Sequence, residues 1–233
     1  PYTVHDYLVT PVEPELGPEE CQRRLHAWNH SVIKLNHVVH HGALGHHVQN
    51  WHATHRSGTR IGSIAAVDCA SRIGMFLGGS MAEGWACYAT ELMDEFGFLS
   101  PLERVLQQQS RVRMLVRAIV DIRLHTQGLS LRDAVTLYVE QAEMSIDAAQ
   151  AEVNKNSMFP CTALMYWLGT KGILDLRTEL QRRQGAAFRL RNFHDELLSH
   201  GSIPVELVAR LMLDTTSAPE VEKTGRGTGR AGR

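Results

Sequence analysis

The sequence predicts an all-α fold, a single multi-helix domain, on three observations. From about Glu19 onward, apolar residues recur at three- and four-residue steps, as one buried helix face requires. Serines stand where helices would open, followed by the residues that complete an N-terminal cap. No run of alternating apolar and polar residues bounded by turns demands a strand, and no internal repeat is present.

Taken in order, residues 1–20 are Pro-rich, with "TPVEPELGPEE", and predict an irregular segment. The helical domain is expected over 21–214. In its first stretch, "EECQRRLHAWNHSVIKLNHVVHH" sets Leu25, Trp28, Val32, Leu35 and Val39 on one face. The segment "MAEGWACYATELMDEFG", residues 81–97, predicts an amphipathic helix with Trp85, Tyr88, Leu92 and Phe96 inward and Glu83 off that face. Ser100-Pro101-Leu102-Glu103 is a helix start three times over: a serine cap, proline at the first helical position and a glutamate closing the capping box. That helix is expected to run to about His125 and stop before Gly128. Ser130 with Asp133 caps the next, Ser145 caps a third, and Pro160 precedes a further helix rich in Leu, Met, Tyr and Trp. Gly201 and Pro204 separate the last two short ones. From Ser217, "SAPEVEKTGRGTGRAGR" has almost nothing to bury, so 215–233 is expected to be a disordered Gly/Arg-rich tail.

Composition narrows the function. A net charge of -1 without a basic stripe argues against nucleic acid as a main partner. No stretch approaches the roughly 18 uninterrupted apolar residues of a membrane span. Cys21, Cys69, Cys87 and Cys161 form no CxxC pair and are expected as small buried hydrophobes. The chain opens on Pro1, which fits a fragment of something longer and leaves localisation open, cytoplasmic being the default.

The functional signal is histidine. Ten of the 13 lie within the first 55 residues, and "HHGALGHH" packs four into eight positions. Imidazole binds divalent metals in its neutral form and titrates near neutral pH. On an unbroken helix, however, His46 would sit roughly 240° around from His40, and His47 roughly 10 Å further along the axis. Two of these side chains can share an ion only if the backbone bends between them, which Gly42 and Gly45 would permit. Spacing alone leaves a metal site and a histidine-rich helix face both open. Glu83, likewise, is either an exposed carboxylate near a helix start or a ligand entering from a second helix.

The stretch "HHGALGHHVQ" resembles the HExxPGHHxQ signature of the DUF885 family, all-α proteins related to the gluzincin metallopeptidases. "AEGWACYATEL" is similar to its EGWAxYAExL, "VRAIVDIRLHTQGLS" to its RLVVDxGxHxxGWS, "FPCTALMYWLG" to its WPGQALxYKIG, and "FRLRNFHDELLSHGSIPVELV" to its closing FHDxxLxxGxxPLxxL. These five ordered blocks cover most of residues 30 to 213. Family members are usually much longer, so the resemblance implies a C-terminal, metal-bearing half, with a partner chain or oligomer to complete the cleft. It implies His40, His46 and Glu83 as metal ligands, with His47 the alternative to His46. It implies a divalent cation, zinc first and iron or manganese as the other candidates, acting on a small-molecule or peptide substrate.

Departures from the signature bear on mechanism. The glutamate that would activate water is replaced by His41, and the proline of PGHH by Leu44. Gly-Gln of the later block becomes Cys161-Thr162, its lysine becomes Trp167, and the Arg-Tyr pair expected before it is Lys155-Asn156. Tyr166, His125, Arg117 and Asp121 match. By resemblance Tyr166 donates to an oxyanion and His125 moves protons, while Arg117 and Asp121, one turn apart, are expected to form a structural pair. With His41 in the slot of the base, three outcomes follow: hydrolysis with His41 as base, a repurposed iron- or zinc-dependent lyase or oxidoreductase with His41 as a ligand, or an inactive binding protein.

Overall fold

In the computed structural model, which describes residues 13, 15–27, 29–67 and 73–215, the regular elements are all helical and no strand occurs among the described residues. The chain runs through α1 (Pro18–Ala27), α2 (His30–Val32), which continues as a π-helical stretch Ile33–Ala43, α3 (His46–His55), α4 (Arg60–Ile64) and α5 (Ile73–Phe76). It goes on through α6 (Gly79–Glu95), α7 (Pro101–Thr126), α8 (Leu131–Ala142), α9 (Ile146–Met158) and α10 (Leu164–Gln184), and closes with α11 (Leu190–Ser199) and α12 (Val205–Thr215). The first helix opens at Pro18, inside the stretch expected to be irregular. Most of that stretch, Trp28, Cys69 and the expected tail from 216 lie outside the described residues.

The serine caps sit where the sequence places them. Ser100 accepts from the Glu103 amide while Glu103 returns to the Ser100 amide, a complete capping box. Ser130 and Ser145 accept from Asp133 and Ala148 at the starts of α8 and α9. The start of α10 is capped from outside: the Asp121 carboxylate, buried on α7, accepts from the amides of Cys161, Ala163 and Leu164 at 2.9–3.0 Å.

Two apolar clusters hold the helices. The larger joins Met81, Trp85, Tyr88 and Leu92 of α6 to Ile173, Leu176 and Leu180 of α10, and to Phe193, Leu197, Val208 and Met212 of α11 and α12. The smaller packs Val116 and Val120 of α7 against Tyr138 of α8 and Val153 of α9. Phe96, expected on the inner face of α6, is instead 67% exposed. It follows the last helical residue, where the backbone turns out toward Gly97 at φ +71°. Leu25, expected to share a face with Leu35 and Val39, is likewise exposed, because the helix breaks at Asn29 and the later turns re-aim the face. Cys161 is exposed rather than buried, in the turn before α10.

Helices α6 and α10 cross at backbone contact. A Cβ on Gly84 would stand 2.5 Å from the Gly169 carbonyl carbon, so only glycine fits at this crossing. The approach sets Tyr166, one turn before Gly169, against the α6 turn that carries Glu83.

Candidate metal centre

The π-helical stretch decides where the histidines point. Its widened turns end at Gly42, whose ψ of -119° is non-helical, and Gly45 N–H reaches back to the Val39 carbonyl at 2.9 Å. The chain therefore bends just after His41 and restarts as α3 at His46. Gly45 lies so close to the preceding turn that a Cβ would sit 1.7 Å from the His40 carbonyl oxygen. Trp85 pins the bend from α6 by donating its indole N–H to the Leu44 carbonyl at 2.8 Å.

The bend brings imidazoles from both sides onto one carboxylate. His40 Nε2 lies 3.4 Å and His46 Nε2 3.3 Å from the same Glu83 Oε2. The His40 and His46 rings stand 4.8 Å apart and nearly perpendicular. Neither approach has the alignment of a hydrogen bond: Glu83 Oε2 is buried and has no hydrogen-bond partner. Donors at the corners of a tetrahedron with bonds of roughly 2.0–2.1 Å stand about 3.3–3.4 Å apart, so each imidazole nitrogen stands from the carboxylate oxygen as one zinc ligand stands from another. An orphaned buried carboxylate oxygen facing two imidazole nitrogens fits a divalent cation.

His41 belongs to the same group. The ligand atoms of His40, His41 and His46 lie within 4.8 Å of one another, so these three imidazoles could hold a metal ion. His47, the alternative to His46, is exposed and outside the group. Of the residues singled out from sequence, the structure thus brings together His40, His41, His46, Glu83 and Tyr166.

The electrostatics follow from burial and crowding. Burial pushes the Glu83 carboxyl up, but the adjacent His40 and His46 imidazoles more than reverse this and hold it below the ordinary carboxylate range. Burial, reinforced by the neighbouring imidazoles, pushes His41 down to about 4. It is then uncharged at neutral pH and about as basic as an ordinary glutamate, whose pKa is roughly 4.3. Burial and then the Glu83 charge drive the Tyr166 phenol up, so it keeps its proton as a donor. Arg117 stacks over the Tyr166 ring at 5.2 Å.

His125 is not brought to this group. Its Nε2 lies 3.1 Å from the Asn156 carbonyl and 3.5 Å from Asp121, the residue that caps α10, and it does not line the adjoining cavity. The expected pairing of Arg117 with Asp121 is also replaced. Arg117 makes a two-pronged pair with Glu152 of α9 at 2.8 and 2.5 Å, while the α10 amides hold Asp121.

A cavity of about 780 Å³ opens beside the group, lined by His40, His41 and Glu83, by Tyr166, and by polar side chains of α7 including Gln107, Ser110 and Arg113. Cys87, one turn after Glu83, also lines it, with its thiol 3.9 Å from His40 Nδ1. Burial and then the Glu83 charge push that thiol up to about 12. The sequence reading took Cys87 only as a buried hydrophobe and passed over Arg113. Each lies four residues from a residue it did single out, and that one-turn spacing was the available signal.

The family model for DUF885, described as a bacterial protein of unknown function, matches residues 23–212. No curated protein matches the chain. Among solved structures, one from Shewanella oneidensis, described as a lipoprotein of unknown function, aligns at TM-score 0.75 and 25% identity over 91% of this chain. A second from Colwellia psychrerythraea, also described as a lipoprotein, aligns at TM-score 0.64 and 28% identity over 76% of this chain. The chain spans 37% and 29% of the lengths of those two proteins. No helix is long and apolar enough to cross a membrane among the described residues.

Proposed function

The chain belongs to the DUF885 family, and we propose that it is a metal-dependent hydrolase of peptide or amide bonds built on His40, His46 and Glu83. One observation carries the reading: two imidazole nitrogens from opposite sides of a backbone bend stand 3.4 and 3.3 Å from one unpartnered carboxylate oxygen. These residues would hold a divalent cation, with zinc favoured by the N/O donor set and spacing and with iron and manganese compatible. When bound, such an ion supplies Lewis acidity and acidifies water.

The chain's own residues have distinct tasks in this reading. His40 and His46 present neutral Nε2 lone pairs, and Glu83 adds a single negative charge. His41, uncharged at neutral pH, accepts the proton of the attacking water and can return it to the leaving nitrogen as the C–N bond breaks. Tyr166, kept protonated, donates toward the oxygen that gains charge as the carbonyl carbon becomes tetrahedral. His125 is assigned no step.

A second reading has an observation of its own. His41 lies within 4.8 Å of both other imidazoles, so it can serve as a further ligand, and three histidines with one carboxylate suit iron-dependent lyase or redox chemistry. Metal analysis of the purified chain, with cleavage of a peptide and amide library in the presence and absence of chelator, tests both. Near-stoichiometric zinc with chelator-sensitive cleavage supports hydrolysis. Iron and colour without cleavage support the second reading, and absence of metal removes both and leaves a binding protein.

A further inference from the structure

We infer that the cavity beside the candidate metal centre selects substrates carrying a free carboxylate, held by Arg113 of α7 and Lys155 of α9. This rests on the proposed hydrolytic reading for the identity of the site, but it stands on separate residues. Both side chains line the cavity, both are exposed, and neither has a hydrogen-bond or ion-pair partner among the described residues. Three other arginines of α7 are paired. Arg104 pairs with Asp94 at 2.8 Å, Arg111 with Glu91 at 3.2 Å, and Arg117 with Glu152. Arg113 and Lys155 are thus unpaired cations that face this space.

Charge in the cavity is lopsided. Among the described residues that line it, Glu83 is the one carboxylate, and it is committed to the two imidazoles at one wall. Arg117, which also lines it, is neutralised by Glu152. Arg113 and Lys155 thus leave an uncompensated positive wall in a concave site, the arrangement that draws and orients an anion. A volume of about 780 Å³ falls in the range of small-ligand sites, roughly 300–1,000 Å³, and suits a substrate the size of a short peptide or acylated amino acid. A substrate with its scissile amide at the histidines would turn its anionic end to the cations. A guanidinium and an ammonium from different helices grip a carboxylate by charge-assisted hydrogen bonds.

The experiment reads binding, by calorimetry on the zinc-treated chain, of N-acetyl-Ala-Ala as the free acid, as its C-terminal amide, and of N-acetyl-Asp-amide. The amide arm removes the carboxylate, and the aspartyl arm moves it to a side chain, which separates a C-terminal from a side-chain source. The free acid is expected to bind about tenfold more tightly than its amide. Arg113→Gln and Lys155→Gln should each shrink that preference, and together abolish it, with zinc content unchanged. A wild-type chain that binds neither ligand, shows no preference, or keeps it in the double variant overturns the inference, the last outcome meaning that the carboxylate goes to the metal. Zinc content is read separately on the same samples. Its absence overturns the metal reading, while the acid-against-amide comparison still decides the role of the two cations.

Discussion

Gly84 and Gly169 meet backbone to backbone: a Cβ on Gly169 would lie 1.9 Å from the Ser80 carbonyl oxygen, and one on Gly84 2.5 Å from the Gly169 carbonyl carbon. This contact fixes how near α10 comes to α6, and so how near the Tyr166 phenol comes to Glu83. Gly169→Ala should therefore cost about 1–3 kcal/mol through forced separation of the helices. Urea unfolding checks this. An unchanged midpoint would mean that the crossing adjusts freely and does not set the site.

Zinc should stabilise the chain, because a ligand that binds only the folded form adds to its stability. The gain is about 2.7 kcal/mol when free zinc is a hundredfold above its dissociation constant. Glu83→Gln keeps the shape of the side chain but removes its charge, and should abolish most of this gain. Melting temperature with and without zinc, in both chains, is the measurement. Equal zinc-induced shifts would show that Glu83 is not a ligand.

His41→Glu sets a carboxylate at the position that takes the proton of water in the proposed hydrolytic reading. Hydrolysis of an amide substrate should rise insofar as the carboxylate reaches the water better than the imidazole does, since the two groups are about equally basic. Initial rates at fixed zinc decide the matter. A variant that retains zinc with unchanged rate would argue that His41 is a ligand and not a base.

His194 predicts an acid-side loss of stability. It accepts from or donates to the Tyr88 hydroxyl at 2.9 Å inside the larger apolar cluster, and burial, then the Arg177 charge, push it down to about 4. Its folded pKa lies below its unfolded value near 6.5, so protonation favours the unfolded chain. The contribution is complete above about pH 6.5 and falls away between there and about pH 4. His41 titrates in the same window, so the part due to His194 is the difference between wild type and His194→Asn. Parallel stability curves for the two chains would refute the assignment.

Asp121→Ala should destabilise the chain by about 2–4 kcal/mol, since it orphans three amides at the buried start of α10. Asp121→Asn should recover part of this, because one oxygen can still accept. Chemical denaturation of the pair tests the order, and equal losses would point to charge rather than to capping.

Much of the fold was legible because its signals are local. The capping box at Ser100 and Glu103, and the caps at Ser130 and Ser145, each need only three or four consecutive residues. The bend after His41 was legible in part, since Gly42 and Gly45 flag it, but the preference for His46 over His47 came from the resemblance and not from spacing. That choice depends on the rotation of α3 after the bend, which no helical wheel drawn through residues 33–43 can give when the turns there are π-helical. The Arg117 partner was misread for the opposite reason. An i,i+4 rule offered Asp121, but the folded chain presents Glu152 from α9 to one and the α10 amides to the other. Partners chosen across helices leave no mark in spacing.

The widened coil over residues 33–43 makes the aim of His40 a matter of chain count rather than of side-chain chemistry. Removing one residue there would let the coil relax to 3.6 residues per turn and swing the imidazole by about 100°, past its partners. Replacing an exposed residue in the same place would leave the aim untouched. The centre should tolerate altered letters in that stretch far better than a skipped one.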